Sequence, residues 1–465
     1  MSEAFSFCLN GTQVSVAGVD PNTTLLAWLR RRGLTGTKES CAEGECGACA
    51  VAVVVARLDG RSAYQTVNSC LVLLPDVAGG EVWTVEGVGG ASGLHPVQEM
   101  MVAHGGSQCG YCTPGFVMSL FAYYYAEPRP AATTALAGNL CRCTGYRPIL
   151  DGASELPRPA ASDEFLRRLA RAAPAPAPLR YAAGAARFDR PTELVEALAL
   201  RAAYPEATIL QGGTDLAVTH NQERAQFPHL IALGAVPELR AIEATADHVW
   251  IGAGVTWAEA EEQLGDRVAM FAELARLFAS PLIRARATVG GNLMTASPVG
   301  DAAPVLLALD AEVELASASA KRMVPLDGFF TGYRRTLLRP DELLTAVRLP
   351  AVAPTASRFY KVSKRELDDI SSVSAAVAVW LERGRIARVR LAFGGVAATP
   401  VRATAAETEL VGRRLDAEAL RNGQRALAAS FQPISDVRAS AAYRAAMLPS
   451  LLAKFWADCG GAVTS

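Results

Sequence analysis

Residues 109–115 read Cys-Gly-Tyr-Cys-Thr-Pro-Gly, and residues 139–149 read Asn-Leu-Cys-Arg-Cys-Thr-Gly-Tyr-Arg-Pro-Ile. Upstream, residues 41–49 read Cys-Ala-Glu-Gly-Glu-Cys-Gly-Ala-Cys, and Cys70 follows. Eight of the ten cysteines therefore fall into two groups of four within the first third of the chain. Such clustering favours metal sites over a scattered disulfide network.

The first cysteine group has the spacing Cys-x4-Cys-x2-Cys with a fourth cysteine further on, which is the plant-type [2Fe–2S] pattern. Gly44 and Gly47 let the loop curl closely around a cluster, whose charge backbone N–H groups would stabilise. A structural zinc site is the alternative, but zinc favours paired Cys-x2–4-Cys units, whereas three ligands share one loop here. The surrounding pattern predicts a hairpin at Asn10-Gly11, a helix over residues 23–32 capped by Asn22 or Thr23, and a strand over residues 50–56.

The second group, Cys-x2-Cys followed by Cys-x-Cys, leaves zinc and an iron–sulfur cluster both open. The plant-type motif upstream favours a cluster, because a second centre gives electrons somewhere to go. The pattern predicts an antiparallel helical bundle whose two loops carry the cysteine pairs, with helices over residues 95–104, 115–126 and 131–138 and another from 147. Tyr123-Tyr124-Tyr125 is interpreted as helix packing or a subunit contact rather than a cofactor site.

Length and charge limit the classes of protein. A chain of 465 residues is long enough for several domains, and 45 basic against 46 acidic residues give no basic field for nucleic acid. The longest apolar run, residues 48–56, is far too short to span a bilayer, and the N-terminus lacks the features of a signal peptide. These features predict a cytoplasmic protein without a membrane or nucleic-acid partner, where reduced thiols persist as ligands.

Residues 156–180 are rich in Pro and Ala, which predicts an extended, semi-rigid linker with a short helix over residues 165–172. Beyond it, Gly212-Gly213 and Gly290-Gly291 lie in predicted loops, rimmed by Thr, Asn, Ser and Asp. Each pair alone is typical of an ordinary turn, but the two together suit a pyrophosphate bound by a nest of backbone N–H groups. No Gly-x-Gly-x-x-Gly follows a strand, so a Rossmann site is not expected. The C-terminal part reads as α+β, with helices from about Asp416, and the five histidines form no ligand set.

Together these motifs resemble the iron–sulfur/flavin part of the molybdenum hydroxylases, in the domain order of the small subunit of bacterial xanthine dehydrogenases. In the flavin half the resemblance is carried by Gly-Gly-Thr-Asp-Leu (212–216), Thr-Val-Gly-Gly-Asn (288–292), Ser-Pro-x-x-Asp (297–301) and Gly-Tyr-Arg (332–334). It implies a multidomain α+β fold: a plant-ferredoxin-like β-grasp domain (1–78), a helical-bundle [2Fe–2S] domain (79–155), the linker (156–180), a two-part α+β FAD-binding domain of the non-Rossmann (PCMH) type (181–350) and a C-terminal flavoprotein α+β domain (356–465).

The resemblance also implies site residues. The cluster nearer the flavin would be held by Cys41, Cys46, Cys49 and Cys70, and the cluster facing the molybdenum cofactor by Cys109, Cys112, Cys141 and Cys143, with Gln108 touching the pterin. FAD would contact Ile209, Leu210, Gln211, Gly212, Gly213, Thr214, Asp215, Leu216, Thr288, Val289, Gly290, Gly291, Asn292, Asp301 and Lys361, with Phe278 and Leu344 covering the ring. Tyr333 and Asp368 match positions near the nicotinamide site, and no other catalytic residue is expected on this chain.

The function implied by the resemblance is electron transfer from a molybdenum cofactor through two [2Fe–2S] clusters to FAD, which reduces NAD⁺, in a xanthine dehydrogenase that converts hypoxanthine and xanthine to urate. The family's molybdenum domains are missing, so a large partner subunit and an (αβ)2 heterotetramer are expected. The alternatives are a molybdenum hydroxylase acting on an aldehyde, another N-heterocycle or an aromatic-CoA thioester, a zinc-stapled binding scaffold, and a redox sensor. The sequence leaves open the organic substrate and the choice between NAD⁺ and O2 as acceptor.

Overall fold

The structure is a computed structural model that describes residues 2–89 and 93–459. Residue 1, residues 90–92 and residues 460–465, which fall within three of the expected domains, lie outside the described residues. The chain divides into two units. The first comprises Met1–Leu200, Tyr204–Pro237 and Ala279–Ala287, and the second Arg201–Ala203, Glu238–Phe278 and Thr288–Ser465. The expected FAD-binding domain contributes to both units, and its predicted boundaries stay predictions.

The helices and strands are numbered in chain order. The helices are α1 Leu25–Arg31, α2 Val85–Val88, α3 Pro96–Ala103, α4 Thr113–Tyr124, α5 Ala132–Ala135, α6 Arg147–Glu155, α7 Glu164–Leu169, α8 Leu194–Ala203, α9 Leu216–Glu223, α10 Trp257–Leu264, α11 Ala269–Leu277, α12 Pro281–Arg284, α13 Val289–Met294, α14 Ala302–Ala308, α15 Thr404–Leu410, α16 Ala417–Ala428 and α17 Ala441–Cys459. The strands are β1 Ala4–Leu9, β2 Thr12–Ala17, β3 Ala50–Ala56, β4 Ser62–Asn68, β5 Glu81–Trp83, β6 Leu179–Ala183, β7 Ala186–Arg190, β8 Thr208–Leu210, β9 His229–Ala232, β10 Ile242–Ala244, β11 His248–Gly252, β12 Glu312–Ala316, β13 Lys321–Pro325, β14 Phe330–Gly332, β15 Arg335–Thr336, β16 Leu343–Pro350, β17 Ala356–Val362, β18 Val373–Glu382, β19 Arg385–Gly394 and β20 Val401–Arg402.

The first unit begins with a mixed five-stranded sheet in the order β2-β1-β5-β3-β4. Leu9 pairs with Thr12, and Asn10 and Gly11 have φ of 50° and 78°, which confirms the predicted two-residue hairpin turn. Helix α1 packs on this sheet with its apolar face. Its cap is Thr24, whose hydroxyl accepts from the Ala27 N–H, so the predicted caps Asn22 and Thr23 are wrong by one or two residues.

A group of short helices follows, built around the buried helix α4. Helix α4 begins directly after Cys112, and α6 begins a few residues after Cys143. Pro114 and Pro148 lie in their first turns, where the missing N–H costs nothing. Tyr123, Tyr124 and Tyr125 are all buried in the core of this segment, which confirms their interpretation as helix packing.

The predicted linker is docked rather than extended along its middle. Helix α7 inserts Phe165 among aromatic rings that include Tyr64 and Phe121. Asp163 caps the helix and accepts a hydrogen bond from Tyr125, and Arg168 forms a 2.6 Å ion pair with Glu81, largely screened from solvent. The short helix predicted within the linker is therefore confirmed as α7, Glu164–Leu169, and it is docked by the side chains of Phe165 and Arg168.

The first unit ends in a four-stranded sheet with the order β6-β7-β9-β8, in which β9 runs parallel to both of its neighbours. Strand β8 leads into residues 211–215 and then into α9. Phe188, Leu210 and Leu230 are buried beneath this sheet. The strand therefore delivers the predicted Gly212-Gly213 turn to the end of a buried sheet.

The second unit contains an antiparallel five-stranded sheet, β10-β11-β16-β12-β13, the hairpin β14-β15 and an antiparallel four-stranded sheet, β17-β18-β19-β20. Helices α15, α16 and α17 pack on the last sheet in one apolar core. Asp416 caps α16 as predicted, whereas α15 precedes it and was not predicted. The multidomain α+β class is confirmed. Within the part of the chain that the structure describes, no helix has the length and apolar character needed to cross a membrane.

Candidate cofactor sites

The four cysteines of the first group converge as two pairs. Cys41 and Cys46 Sγ lie 3.2 Å apart, and Cys49 and Cys70 Sγ lie 3.3 Å apart. Among the described residues, no three His, Cys, Asp or Glu side chains meet the geometry of a single metal ion. Two pairs of thiols suit a two-iron cluster, in which each iron takes two thiolates, better than a zinc ion surrounded by four ligands.

Electrostatics around the first pair favour metal binding. A hydrogen bond from the Cys41 thiol lowers the pKa of Cys46 to about 6, while it raises that of Cys41. Since the thiolate is the ligand form, one member of the pair is ready to bind iron near neutral pH. The Glu43 N–H also donates to Cys41 Sγ over 3.4 Å. The charge of a cluster would be met here by backbone donors, as the sequence predicts.

Glycine shapes the first loop. Gly44 has φ of +85°, and a Cβ there would overlap Leu71, whose neighbour Cys70 is a predicted ligand. The side chain of Asn68 donates to the Gly44 carbonyl over 2.8 Å, which ties the loop to the segment that carries Cys70. Glycine is required at position 44, as predicted, because its φ is positive and because Leu71 leaves no room for a Cβ.

The second group also pairs through hydrogen bonds between free thiols, Cys112 with Cys141 and Cys109 with Cys143. Burial, followed by the hydrogen bond to Cys141, raises the pKa of Cys112 to about 12. Hydrogen bonds from Thr144, 3.1 Å from its hydroxyl and 3.4 Å from its N–H, lower the pKa of Cys141 although burial acts against them. The donor set therefore fits a second two-iron cluster.

The two groups differ in exposure. Cys49 and Cys70 are buried, whereas Cys109 and Cys143 are exposed, as is the predicted pterin contact Gln108. The first group therefore includes one buried thiol pair, and the second group includes one thiol pair at the surface.

The loops that carry the two groups touch each other. The Leu140 N–H, one residue before Cys141, donates to the Cys46 carbonyl over 3.0 Å. A Cβ at Gly115 would overlap the Gly47 carbonyl, and a Cβ at Gly47 would overlap that of Gly138. Glycine is required at these positions because two backbones meet with no side chain between them.

In the first unit, the predicted FAD turn of residues 212–215 is held at both glycines. Gly212 and Gly213 have φ of +75° and +77°, a conformation that other residues rarely adopt. The Gly212 carbonyl accepts from Arg286 Nε over 3.0 Å. Gln211 next to the turn keeps a buried Oε1 without a hydrogen-bond partner among the described residues, which suits contact with a polar ligand.

In the second unit, Gly290 and Gly291 were predicted to lie in a loop but belong to a helix, α13. The expected nest of free N–H groups is wrong there. Thr288 caps this helix by accepting from the Gly291 N–H, and the Gly290 N–H donates to Ala253. Glycine is required at position 290 because the Cβ of any other residue would lie only 2.6 Å from the Cβ of Ala253. Asn292 keeps a buried Oδ1 without a partner among the described residues, which suits contact with a polar ligand.

Lys361 and Asp301, both predicted to contact FAD, form a buried ion pair in the second unit. Lys361 Nζ lies 2.8 Å from Asp301 and also donates to the Leu277 carbonyl over 3.1 Å. Ser371 donates to the other carboxylate oxygen. The pair places a cation and an anion in one water-poor position, close to the end of α11.

The remaining predicted residues occupy defined places in the second unit. Phe278 is buried against Trp257, with ring centroids 5.1 Å apart, and Leu344 is buried on β16. Tyr333 is exposed in the turn between β14 and β15. Asp368 is buried with φ of +53°. Their roles at the flavin and at the nicotinamide stay predictions.

Two further residues, Arg286 and Asn221, hold these sites in place. Arg286 joins the Gly212 carbonyl to Asp76, and the side chain of Asn221 bonds the carbonyls of Ala42 and Cys70. Neither belongs to a recognisable motif. The only available signal for Arg286 was its position two residues before the Thr-Val-Gly-Gly-Asn motif.

Four family descriptions match the chain in succession. They are "2Fe-2S iron-sulfur cluster binding domain" at residues 7–74, "[2Fe-2S] binding domain" at 84–154, "FAD binding domain in molybdopterin dehydrogenase" at 184–352 and "CO dehydrogenase flavoprotein C-terminal domain" at 358–459. Both cysteine groups lie within the two iron–sulfur matches.

Curated relatives match over nearly the whole chain. A xanthine dehydrogenase of Emericella nidulans is 33% identical over 89% of this chain, and a xanthine dehydrogenase/oxidase of Gallus gallus is 34% identical over 91%. A xanthine dehydrogenase of Drosophila subobscura is 33% identical over 96%. The chain spans 35% to 38% of the length of these relatives.

Solved structures match over part of the chain. A chain of carbon monoxide dehydrogenase from Hydrogenophaga pseudoflava is 31% identical with a TM-score of 0.55, covering 57% of this chain and 94% of that one. A chain of the Oligotropha carboxidovorans CO dehydrogenase is 30% identical with a TM-score of 0.55, covering 58% and 96%. With two paired thiol groups, two iron–sulfur matches and an FAD-domain match in this order, the chain belongs to the molybdenum hydroxylase family and is an iron–sulfur/FAD electron-transfer component of it.

Proposed function

We propose that this chain is the electron outlet of a cytoplasmic xanthine dehydrogenase. It would receive electrons from a molybdenum cofactor on a large partner subunit and deliver them to NAD⁺, within an (αβ)2 heterotetramer. The observation that carries this proposal is the joint match of cluster and flavin halves. Relatives named xanthine dehydrogenase cover 89% to 96% of this chain, whereas the CO dehydrogenase chains cover 57% to 58%.

The exposure of the two cysteine groups supports an order for the electron-transfer path. Cys109 and Cys143 are exposed, so the second group is accessible to a partner's cofactor, with Gln108 beside it. Cys70 is buried and lies next to the segment that follows the 212–215 turn. The clusters supply single-electron transfer, and FAD accepts single electrons and donates a hydride. This order places the second group at the entry and the first group at the flavin.

For FAD, we assign a polar contact in the first unit to Gln211 and, separately, a polar contact in the second unit to Asn292. The buried side-chain oxygen of each lacks a partner among the described residues. Lys361 and Asp301 would present their paired charges, while Phe278 and Leu344 supply apolar surface for the ring. Tyr333 and Asp368 are proposed for the nicotinamide side.

A second candidate is the corresponding component of another molybdenum hydroxylase, acting on an aldehyde, another N-heterocycle or an aromatic-CoA thioester. The match of residues 358–459 to "CO dehydrogenase flavoprotein C-terminal domain" favours keeping it. The two candidates share this chain's chemistry and differ in the substrate pocket of the partner. Assay of the purified complex with xanthine and with an aldehyde separates them.

The proposed electron-transfer path is tested with Cys109→Ser in the complex purified with its large subunit. We expect the variant to retain FAD and to oxidise NADH with an artificial dye, but to lose xanthine-driven NADH formation, since an entry ligand is gone. Cys8→Ser, at a half-buried cysteine outside both groups, is the matched control. If Cys109→Ser reduced NAD⁺ from xanthine as fast as the unsubstituted enzyme, the assigned entry would be wrong.

A further inference from the structure

Helix α9 connects the predicted FAD turn directly to the first cysteine group. It begins at Leu216, immediately after residues 212–215. Ala217 in its first turn is fully buried in one apolar cluster with Cys49, Cys70 and Leu71. The helix therefore lies against a thiol pair with its N-terminal half.

Asn221, near the end of the same helix, binds the backbone on both sides of the thiol group. Its Nδ2 donates to the Ala42 carbonyl and to the Cys70 carbonyl, each over 2.9 Å. Ala42 follows Cys41 of one pair, and Cys70 belongs to the other pair. An amide NH2 has two hydrogens, so both are used to join the two sides of the loop. Gln222 adds a 3.1 Å bond to the Cys41 carbonyl.

The other end of the helix is fixed to the same part of the chain. The Gly212 carbonyl accepts from Arg286, which forms an ion pair with Asp76 in the N-terminal segment. A Cβ at Gly213 would lie 3.6 Å from the Leu71 carbonyl, beside Cys70. Five helical residues, rising about 1.5 Å each, separate the turn from Asn221. The turn and the thiol loop thus form one hydrogen-bonded block.

We infer that Asn221 is a positioning residue that fixes the first cluster relative to the FAD turn and tunes that cluster's reduction potential. The inference deepens the proposed function and rests on it. Its amide places partial positive charge beside carbonyls that adjoin two ligand thiolates, one from each pair. Hydrogen bonds and charge around the sulfurs set the potential of such a cluster, and a donor favours the more negative, reduced form.

The test compares Asn221→Asp and Asn221→Leu in the purified complex, by redox titration of each cluster's electron paramagnetic resonance signal. We expect Asn221→Asp to lower the midpoint of one cluster and leave the other unchanged, with a smaller shift in the same direction for Asn221→Leu. Retention of FAD should weaken about tenfold in both, equivalent to about 1.4 kcal/mol, since the two hydrogen bonds of Asn221 no longer hold the helix. Asn221→Gln, which keeps the donor, should restore part of both effects.

Gln226→Glu is the control, because it adds the same charge at an exposed position just beyond the helix. The inference is overturned if Asn221→Asp shifts the midpoint no more than this control, or if both clusters shift equally. Should Asn221→Asp fail to accumulate, Asn221→Leu decides by the same criterion. Absence of two [2Fe–2S] signals from the unsubstituted complex would instead overturn the proposed function, and the inference with it.

Discussion

Lys361 and Asp301 are among the most buried charges of the second unit, with side chains 2% and 7% exposed. We expect Lys361→Met to lower the free energy of unfolding by about 3–5 kcal/mol, because it leaves the Asp301 carboxylate buried without its cation. Lys321→Met is the control: Lys321 pairs with Glu314 at the surface, where such a change costs about 0–1 kcal/mol. Thermal unfolding of both variants measures the difference, and equal losses would contradict the burial argument.

A second prediction at this scale concerns pH. Burial lowers the pKa of His95 to about 4. Its Nδ1 accepts a hydrogen bond from the Val97 N–H, and its Nε2 is hydrogen-bonded to the Tyr125 hydroxyl. The native state thus holds His95 neutral, whereas the unfolded chain protonates it below pH 6.5. The contribution of neutral His95 to the free energy of unfolding is complete above that pH. As the pH falls towards 4, this contribution is lost at up to about 1.4 kcal/mol per pH unit.

His95→Gln should therefore flatten the fall in melting temperature between pH 7 and pH 5, in a series of thermal scans. His248→Gln, at a half-buried histidine of the second unit, is the control. If both variants followed the pH dependence of the unsubstituted protein, His95 would not be the group responsible.

What the sequence reveals about single residues depends on how restrictive their chemistry is. Cysteine spacing identified two metal-site candidates, since few other roles place four thiols so regularly. Asn221 and Arg286 gave no such signal, because amides and guanidinium groups are common on surfaces and their partners here lie far away in sequence. Long-range backbone contacts of this kind carry no local pattern.

At the scale of elements, the docked helix α7 gives a direct test. Phe165→Ala should cost about 3–5 kcal/mol, because the ring leaves a cavity among Tyr64, Phe121 and Tyr125. The residues around it should also become accessible to proteases. Arg167→Ala, exposed on the same helix, is the matched control and should be near neutral. A Phe165→Ala protein that melted with its control would show that the linker is not held here.

Elements with a local cause were predictable, and elements with a tertiary cause were not. The Asn10-Gly11 turn and the Asp416 cap follow from short-range chemistry and are confirmed. The Gly290-Gly291 pair was misread as a nest, because glycine serves equally for anion binding and for close packing, and Ala253 lies against it. The short helix in the linker was predictable from its composition, whereas its packing against Tyr64 and Phe121 was not, because those partners lie far away in sequence.

For the whole molecule, the decisive measurement is metal content. Two [2Fe–2S] clusters predict about four iron and about four acid-labile sulfide per polypeptide, with one FAD released on denaturation. Dithionite should bleach the brown-yellow colour. Removal of iron by a chelator should leave the protein colourless apart from its flavin. Zinc in place of iron, with no flavin, would instead support a metal-stapled scaffold.

Gly47 touches both Gly115 and Gly138, so the wall between the two thiol groups is bare backbone. A single methyl group added at this contact would displace the backbone of both cysteine loops at once. A larger residue in either loop would therefore have to displace the backbone of the other. The two cysteine loops share this backbone contact, so a change of shape in one requires a change in the other.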